Sequence, residues 1–420
     1  MRTMRARGIL GLVVVALAAC GRTELDRTDG TPKSVDPLCH DATLAGAATP
    51  ALGFCSDGAH RAPVVAPRAP VARWTVTVPE PSSFLVDAEG DILGSTWAIT
   101  PSGALRSTPA RGRHVAYLDR AGAVVGTEIE DAHLVVAYRT PAGSLLRSLT
   151  PPNPQHLLNW SVLGAAASDG TVDLGWSIQG PLSRTIGIVQ RLDGDRTAFS
   201  ASTGCVPIDG DRSRPAAVIR LADGTVASAC GSFNATVRLT FIDSSGVAAP
   251  TLFLDGSDVA SNLAQLPNGD IALVTRDSNA EMTLSVVRGS VVRSRTRVPS
   301  GRSADLAVAR NGTILVRTES QLFAFAPNTP TAALLYRVDV PRTEVDDPMG
   351  GVSPSSLFVD ADATVVTWGD RIEARSLDDG SLRWSFADPG RSEFTSVTAA
   401  GPGAIYALTR SATMTLLRDP

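Results

Sequence analysis

Five cysteines and five histidines are the residues here whose side chains most readily do chemistry. Cys20 follows Leu17-Ala18-Ala19 directly, at the end of an apolar run from Ile9 to Ala19 that itself follows Arg2, Arg5 and Arg7. A basic start, a short apolar stretch and small residues before a cut site make residues 1–19 a signal peptide, too short to persist as a spanning helix. The small side chains of Ala18 and Ala19 let a peptidase approach the backbone, and cleavage leaves the Cys20 thiol at a new amino terminus. An ordinary secretory signal with a coincidental cysteine is the alternative. Cys39, Cys55, Cys205 and Cys230 form an even set in an exported chain, where oxidation is permitted. Three connectivities exist; short loops favour Cys39 with Cys55 and Cys205 with Cys230, and buried free thiols are the other reading.

The remaining chemistry is mostly exclusion. His40, His60, His114, His133 and His156 lie within the first 156 residues, and none stands at helical zinc spacing with a glutamate base. Cys39, His40, Cys55 and His60 invite a zinc site, but their spacing fits no finger pattern and oxidation competes for the thiols. There is no GxSxG elbow, P-loop, CxxC or EF-hand loop. Asp305 and Asp360 sit near strand ends and are expected to cap turns; a triad assembled from distant segments would not show in sequence. Asn159, Asn234 and Asn311 each open an N-x-S/T triplet and read as turn composition. No catalytic, cofactor-binding or metal-ligating residue is assigned, and no cofactor is expected.

The segment ending in Cys20 resembles the lipobox of bacterial lipoproteins. That resemblance implies a diacylglyceryl group on the Cys20 sulfur and usually a third acyl chain on its amine. Each buried methylene contributes about 0.8 kcal/mol, so two or three chains anchor a protein firmly. Gly21 and Arg22 lack the aspartate that implies inner-membrane retention in Gram-negative lipoproteins, which favours the outer membrane in a host with two. Without residues 1–19 the net charge becomes −7. The charge is spread without a basic run, so nucleic acid is not an expected partner. No polybasic patch for anionic lipid is evident either, and attachment is expected from the acyl chains alone. Only Lys33 among the 38 basic residues is a lysine, a compositional bias.

Stepping along the chain, residues 20–71 read as a lipidated tether: a polar start, a loop holding Cys39 and Cys55, then a proline-rich spacer. Residues 72–420 are longer than one hydrophobic core usually supports, yet no linker divides them. Repetition resolves this. A short apolar strand, a tight turn such as Asp223-Gly224 or Asn268-Gly269, a second strongly apolar strand and two more polar strands recur. Turns placed near Gly90, Ala132, Gly170, Gly224, Gly269, Gly312, Ala363 and Gly403 are spaced by about 45 residues, the range of four-stranded propeller blades. The fold expected is all-β, a β-propeller of eight blades, with seven also compatible. The last unit has only three strands, and Arg73 to Val78 is expected to complete it, since Trp74 matches Trp384 at the start of an outermost strand.

The unit containing Val365, Val366, Asp378, Asp379, Gly380 and Trp384 resembles the repeat of the pyrroloquinoline-quinone-type β-propellers, in which the indole docks between adjacent blades. Elsewhere that position is occupied differently. Similar propellers include quinone-dependent dehydrogenases, and a non-catalytic lipoprotein of the outer-membrane barrel-assembly machinery. The dehydrogenases imply a vicinal cysteine pair and a metal held by Glu, Asn and Asp, and no two cysteines are adjacent here. Taken together, the reading is a membrane-anchored, non-catalytic propeller of the cell envelope that binds an envelope protein or glycan. The alternative is an envelope enzyme, a quinone oxidoreductase or a polysaccharide hydrolase or lyase, with its site in the channel.

Overall fold

The computed structural model describes residues 65–420 except 82–83, 87–90, 109–113, 119–123, 131–132, 150–156, 167–170, 180–184, 194–195, 204–216, 222, 233–235, 300, 302, 327–331 and 344–355. The signal peptide, Cys20, Cys39, Cys55, Cys205, His40, His60 and His156 therefore lie outside the described residues. Those that are described form strands and turns, with no helix among them.

The strands group into eight antiparallel sheets, seven of them four-stranded and one carrying an extra short strand. In chain order the sheets cover 85–107, 114–149, 157–202, 217–255, 258–298, 305–339 and 357–386, and the eighth joins 394–418 to Val71–Thr77. Each sheet is a meander, and in the fourth to eighth sheets the second strand is covered on both faces by its neighbours. Thr364–Trp368 and Ala404–Thr409 are accordingly buried along their whole length, as sheets covered on both sides require. The outermost strand Val291–Val298 alternates instead, with every fourth residue buried. Apolar clusters span each contact from the fourth sheet round to the first. This is a β-propeller.

Gly224, Gly269, Gly312, Ala363 and Gly403 all fall between the first and second strands of their sheets and all have positive φ. The second unit differs from the sequence reading. Residues 131–132 separate the second strand, Val124–Glu130, from the third, His133–Arg139. The first hairpin there closes after Leu118, where no Asn-Gly or Asp-Gly pair marks it.

Neighbouring sheets are keyed by aromatic rings from outermost strands seated against glycines in the next sheet's turn. At Gly103, with φ +87°, an added Cβ would come within 2.9 Å of the Trp74 ring. At Gly380, with φ +72°, it would meet the Tyr336 ring at 2.8 Å. Phe199 takes the same place against Gly246. The Trp384 position of the repeat is thus filled by Tyr336 and Phe199 in other units.

Ring closure is non-covalent. Val71–Thr77 pairs antiparallel with the last strand, Thr413–Arg418, and Trp74 Nε1 donates to Pro101 O of the first sheet at 3.0 Å. In other sheets a side-chain oxygen caps the turn into the outermost strand; Asp243 Oδ1 accepts from Ser245 N and Val247 N, both at 2.9 Å. No peptide links the eighth sheet's third strand to its fourth. There Asp419 Oδ1, from the far end of the chain, accepts from Arg68 N and Ala69 N at 2.8 Å, reproducing the capped turn in trans. Because the eighth sheet packs on both neighbours, deleting Val71–Thr77 is expected to lower the midpoint of one cooperative unfolding transition. A separate early transition, with the rest of the ring melting as before, would contradict this closure.

Candidate functional site

Buried charge is the first place to look for chemistry, because an ion kept from water must be paid for by its neighbours. Arg317 ends the second strand of the sixth sheet and is 1% exposed. Its Nη2 donates to Pro341 O and to Trp368 O of the seventh sheet, both at 2.7 Å, and Nη1 lies 3.9 Å from Asp305 Oδ2. Burial lowers the Arg317 pKa to about 10, and the Asp305 charge works against that shift. The guanidinium therefore stays charged at neutral pH. Burial in turn raises the Asp305 carboxyl, opposed by Arg317 and by hydrogen bonds from Ser356. Ser356 N donates to Asp305 Oδ2 at 3.0 Å, and its hydroxyl donates to the same oxygen.

Asp305 was expected to cap a turn of its own. It instead ties the first strand of the sixth sheet to the residue preceding that of the seventh, while Asp360 meets the expectation directly. Its Oδ1 accepts from Asp362 N at 2.9 Å and Thr364 N at 2.6 Å, and its Oδ2 accepts from Ala66 N at 2.8 Å. Asp360 thus caps one turn and pins the start of the described chain.

Two further polar groups, which the sequence reading does not name, bridge sheets. Asp173 takes Arg191 in a two-pronged pair, at 2.6 and 3.0 Å, with Arg220 Nε at 3.3 Å, all three buried. Arg191 also donates to Gly224 O of the fourth sheet at 2.8 Å. Asn262 accepts from Leu306 N at 2.8 Å and donates to Leu306 O at 3.0 Å, imitating a strand partner between the fifth and sixth sheets. Alternation along each strand could have flagged Asp173 and Arg317 as polar residues at core positions; their partners, distant in sequence, could not be read.

One surface cavity of about 460 Å³ lies where the eighth sheet has no covalent turn, lined by Val65, Pro67, Asp362, Arg383 and Trp384 among others. Trp384 Nε1 donates to Pro67 O at 2.6 Å, so the indole does dock on the next blade. Arg68 and Asp362 form an exposed ion pair across the opening. This cavity is a seam between chain ends, with no nucleophile and base in contact across it among the described residues. Cys230 is buried in the strand Val226–Ser232. Its expected partner Cys205 is outside the described residues, as are Cys39 and Cys55. His114 and His133 lie in separate strands of the second sheet.

No protein-family model and no curated protein matches this sequence. Among solved structures the chain is similar to BamB from Moraxella catarrhalis, at 10% identity over 84% of this chain and all of that one, with a TM-score of 0.46. It is also similar to the quinohemoprotein alcohol dehydrogenase ADHIIG from Pseudomonas putida HK5, at 9% identity over 92% of this chain and 82% of that one, with a TM-score of 0.56. Identities this low establish fold alone. The chain has the β-propeller fold.

A quinone and its metal are what such a fold suggests, and the described residues do not fit them. Asn262, Asp305 and Asp360, polar residues at the ends of innermost strands, are each already bound to backbone or to Arg317. No three His, Cys, Asp or Glu cluster at metal-binding spacing among the described residues. No chemical step is derived through either group. If Arg317 is structural, Arg317→Met strands the Asp305 carboxyl and should cost about 3–5 kcal/mol in chemical denaturation, the usual result of breaking a buried pair. A loss under about 0.5 kcal/mol, the range of neutral surface changes, would show that the arginine is not needed for the fold.

Proposed function

We propose that this chain is a membrane-anchored, non-catalytic propeller that holds a partner macromolecule in the bacterial cell envelope. The observation that carries this reading is that four inward polar groups among the described residues join blades. Arg317, Asp305, Asp173 and Asn262 each bind across a sheet boundary, so these side chains are engaged in holding the wheel together.

The two faces of the wheel suit such a role differently. The turns joining first to second and third to fourth strands share one face and are mostly tight. The other face carries the connections between sheets, and the strands they join lie far apart in sequence in two places, Ser202 to Ala217 and Asp339 to Leu357. Long connections on a rigid scaffold are where recognition usually resides. We assign partner binding to that face, and attachment to acyl groups on Cys20, with the outer membrane favoured. Disulfides joining Cys39 to Cys55 and Cys205 to Cys230 belong to the same reading of an exported chain. The partner class is an envelope protein or glycan.

The likeness to a quinohemoprotein dehydrogenase favours one rival, a quinone-dependent oxidoreductase. Adding quinone and Ca²⁺ to the purified protein distinguishes the two: the scaffold reading expects no new absorbance band and no dye reduction, whereas a saturable band would favour the enzyme. In cells, cross-linking followed by purification should recover a specific envelope partner with the wild-type chain. After a high-salt wash, which removes electrostatic attachment, Cys20→Ser should leave the membrane fraction and sharply reduce that recovery. Retention of Cys20→Ser equal to wild type under that wash would overturn the anchor.

A further inference from the structure

The exposed large apolar side chains are not scattered. Nine of the ten found among the described residues lie on outermost strands, and the tenth, Val247, sits in a turn leading to one. Single exposed leucines are ordinary on protein surfaces; recurrence at one structural position is not. Val71, Leu105, Leu145, Val291, Leu334 and Leu382 are each the first residue of the outermost strand in their sheet. The sheets concerned are the fifth, sixth, seventh, eighth, first and second, which follow one another round the ring.

An arginine follows each of these residues within three positions: Arg73, Arg106, Arg147, Arg293, Arg337 and Arg383. The eight outermost strands together hold nine arginines and only two acids, Asp255 and Asp339, in a chain whose net charge is −4. Arg295 and Arg297 are offset by Asp255 and Glu281. Arg106, Arg293 and Arg337 are exposed and make no ion pair among the described residues, and Arg147 packs over the Tyr138 ring. The turns beside these four carry no acid in sequence, whereas the seventh and eighth sheets bring Asp378, Asp379 and Asp419 to the same edge.

We propose that this belt of aliphatic and arginine side chains seats the tight-turn face of the propeller on an anionic phospholipid surface. Strands advance about 3.3 Å per residue, so the aliphatic residues stand at the rim of that face and the guanidinium groups about 3–10 Å behind them. This is the depth order of acyl boundary and headgroups. Only a flat approach lets six consecutive sheets touch a planar surface together. The start of the described chain agrees with it. Val65 O accepts from Gly403 N in a tight turn of the eighth sheet, so the first described residue lies on this same face. The absence of a basic run in the sequence concealed the belt, because it is built from one arginine per blade.

The proposal deepens the membrane-anchored reading without needing acylation. Residues 20–420 carrying Cys20→Ser are sedimented with vesicles of phosphatidylcholine alone or with added phosphatidylglycerol. Binding should require phosphatidylglycerol and weaken as salt rises. With about fivefold per arginine near an anionic surface, joint Arg106→Gln, Arg293→Gln and Arg337→Gln should weaken it on the order of 100-fold at an unchanged Tm. Leu105→Ser with Leu334→Ser should weaken it several-fold at constant salt dependence. Equal binding to both vesicle types, or an unaffected triple variant, would overturn the proposal. So would leucine variants that bind normally while soluble alginate competes all binding away, which would mark a soluble polyanion as the partner. Failure here leaves the acyl anchor standing, because mass spectrometry of Cys20 decides that separately.

Discussion

Everything in this molecule depends on closing a ring of sheets without a covalent joint. A sheet in a propeller buries both faces only if a neighbour stands on each side, so an open array would leave two apolar faces in water. The closure strand Val71–Thr77 removes that cost by completing the eighth sheet, pairing with Thr413–Arg418 and inserting Trp74 beside Tyr406, ring centroids 5.9 Å apart. Asp419 then caps backbone N–H groups at Arg68 and Ala69 that no peptide turn is there to satisfy. First and last residues of the wheel are thereby fixed to one another, and the departure point of the amino-terminal segment is fixed with them.

That fixed departure point links architecture to the proposed role. The described chain begins at Val65 on the tight-turn face, the face that carries the proposed belt, and the longer connections between sheets lie opposite. The buried bridges between sheets matter here for their rigidity. Arg317 holds two backbone carbonyls across the sixth and seventh sheets, and Asp173 collects two arginines across the third and fourth. Such pairs bring little net stability when compared with a well-packed apolar core, but losing one partner is costly. They therefore penalise sliding of one blade against the next.

The sequence revealed the parts of this structure that are local. Asp223-Gly224 and Asn268-Gly269 mark hairpins because positive φ is needed where two strands reverse, and both do so. Trp74 announced the closure strand through its likeness to Trp384. The second unit's first hairpin has no such pair, which is why the spacing points instead to residues 131–132, between the second and third strands. The site was less legible than the fold. Asp305 was noticed, but its partners Ser356 and Arg317 are brought to it only by neighbouring blades. The arginine belt was invisible for the same reason, since residues one blade apart in space are about 45 apart in sequence.

Orientation on the membrane is the most direct test of the whole account, because it depends on ring closure and rim chemistry together. A fluorophore placed at Ser102→Cys, in a tight turn of the first sheet, and another at Asn279→Cys, in a turn on the opposite face, report depth through quenchers attached to lipid. The account predicts strong quenching at position 102 and little at 279 in anionic vesicles. Equal quenching at both positions, or the reverse order, would contradict it.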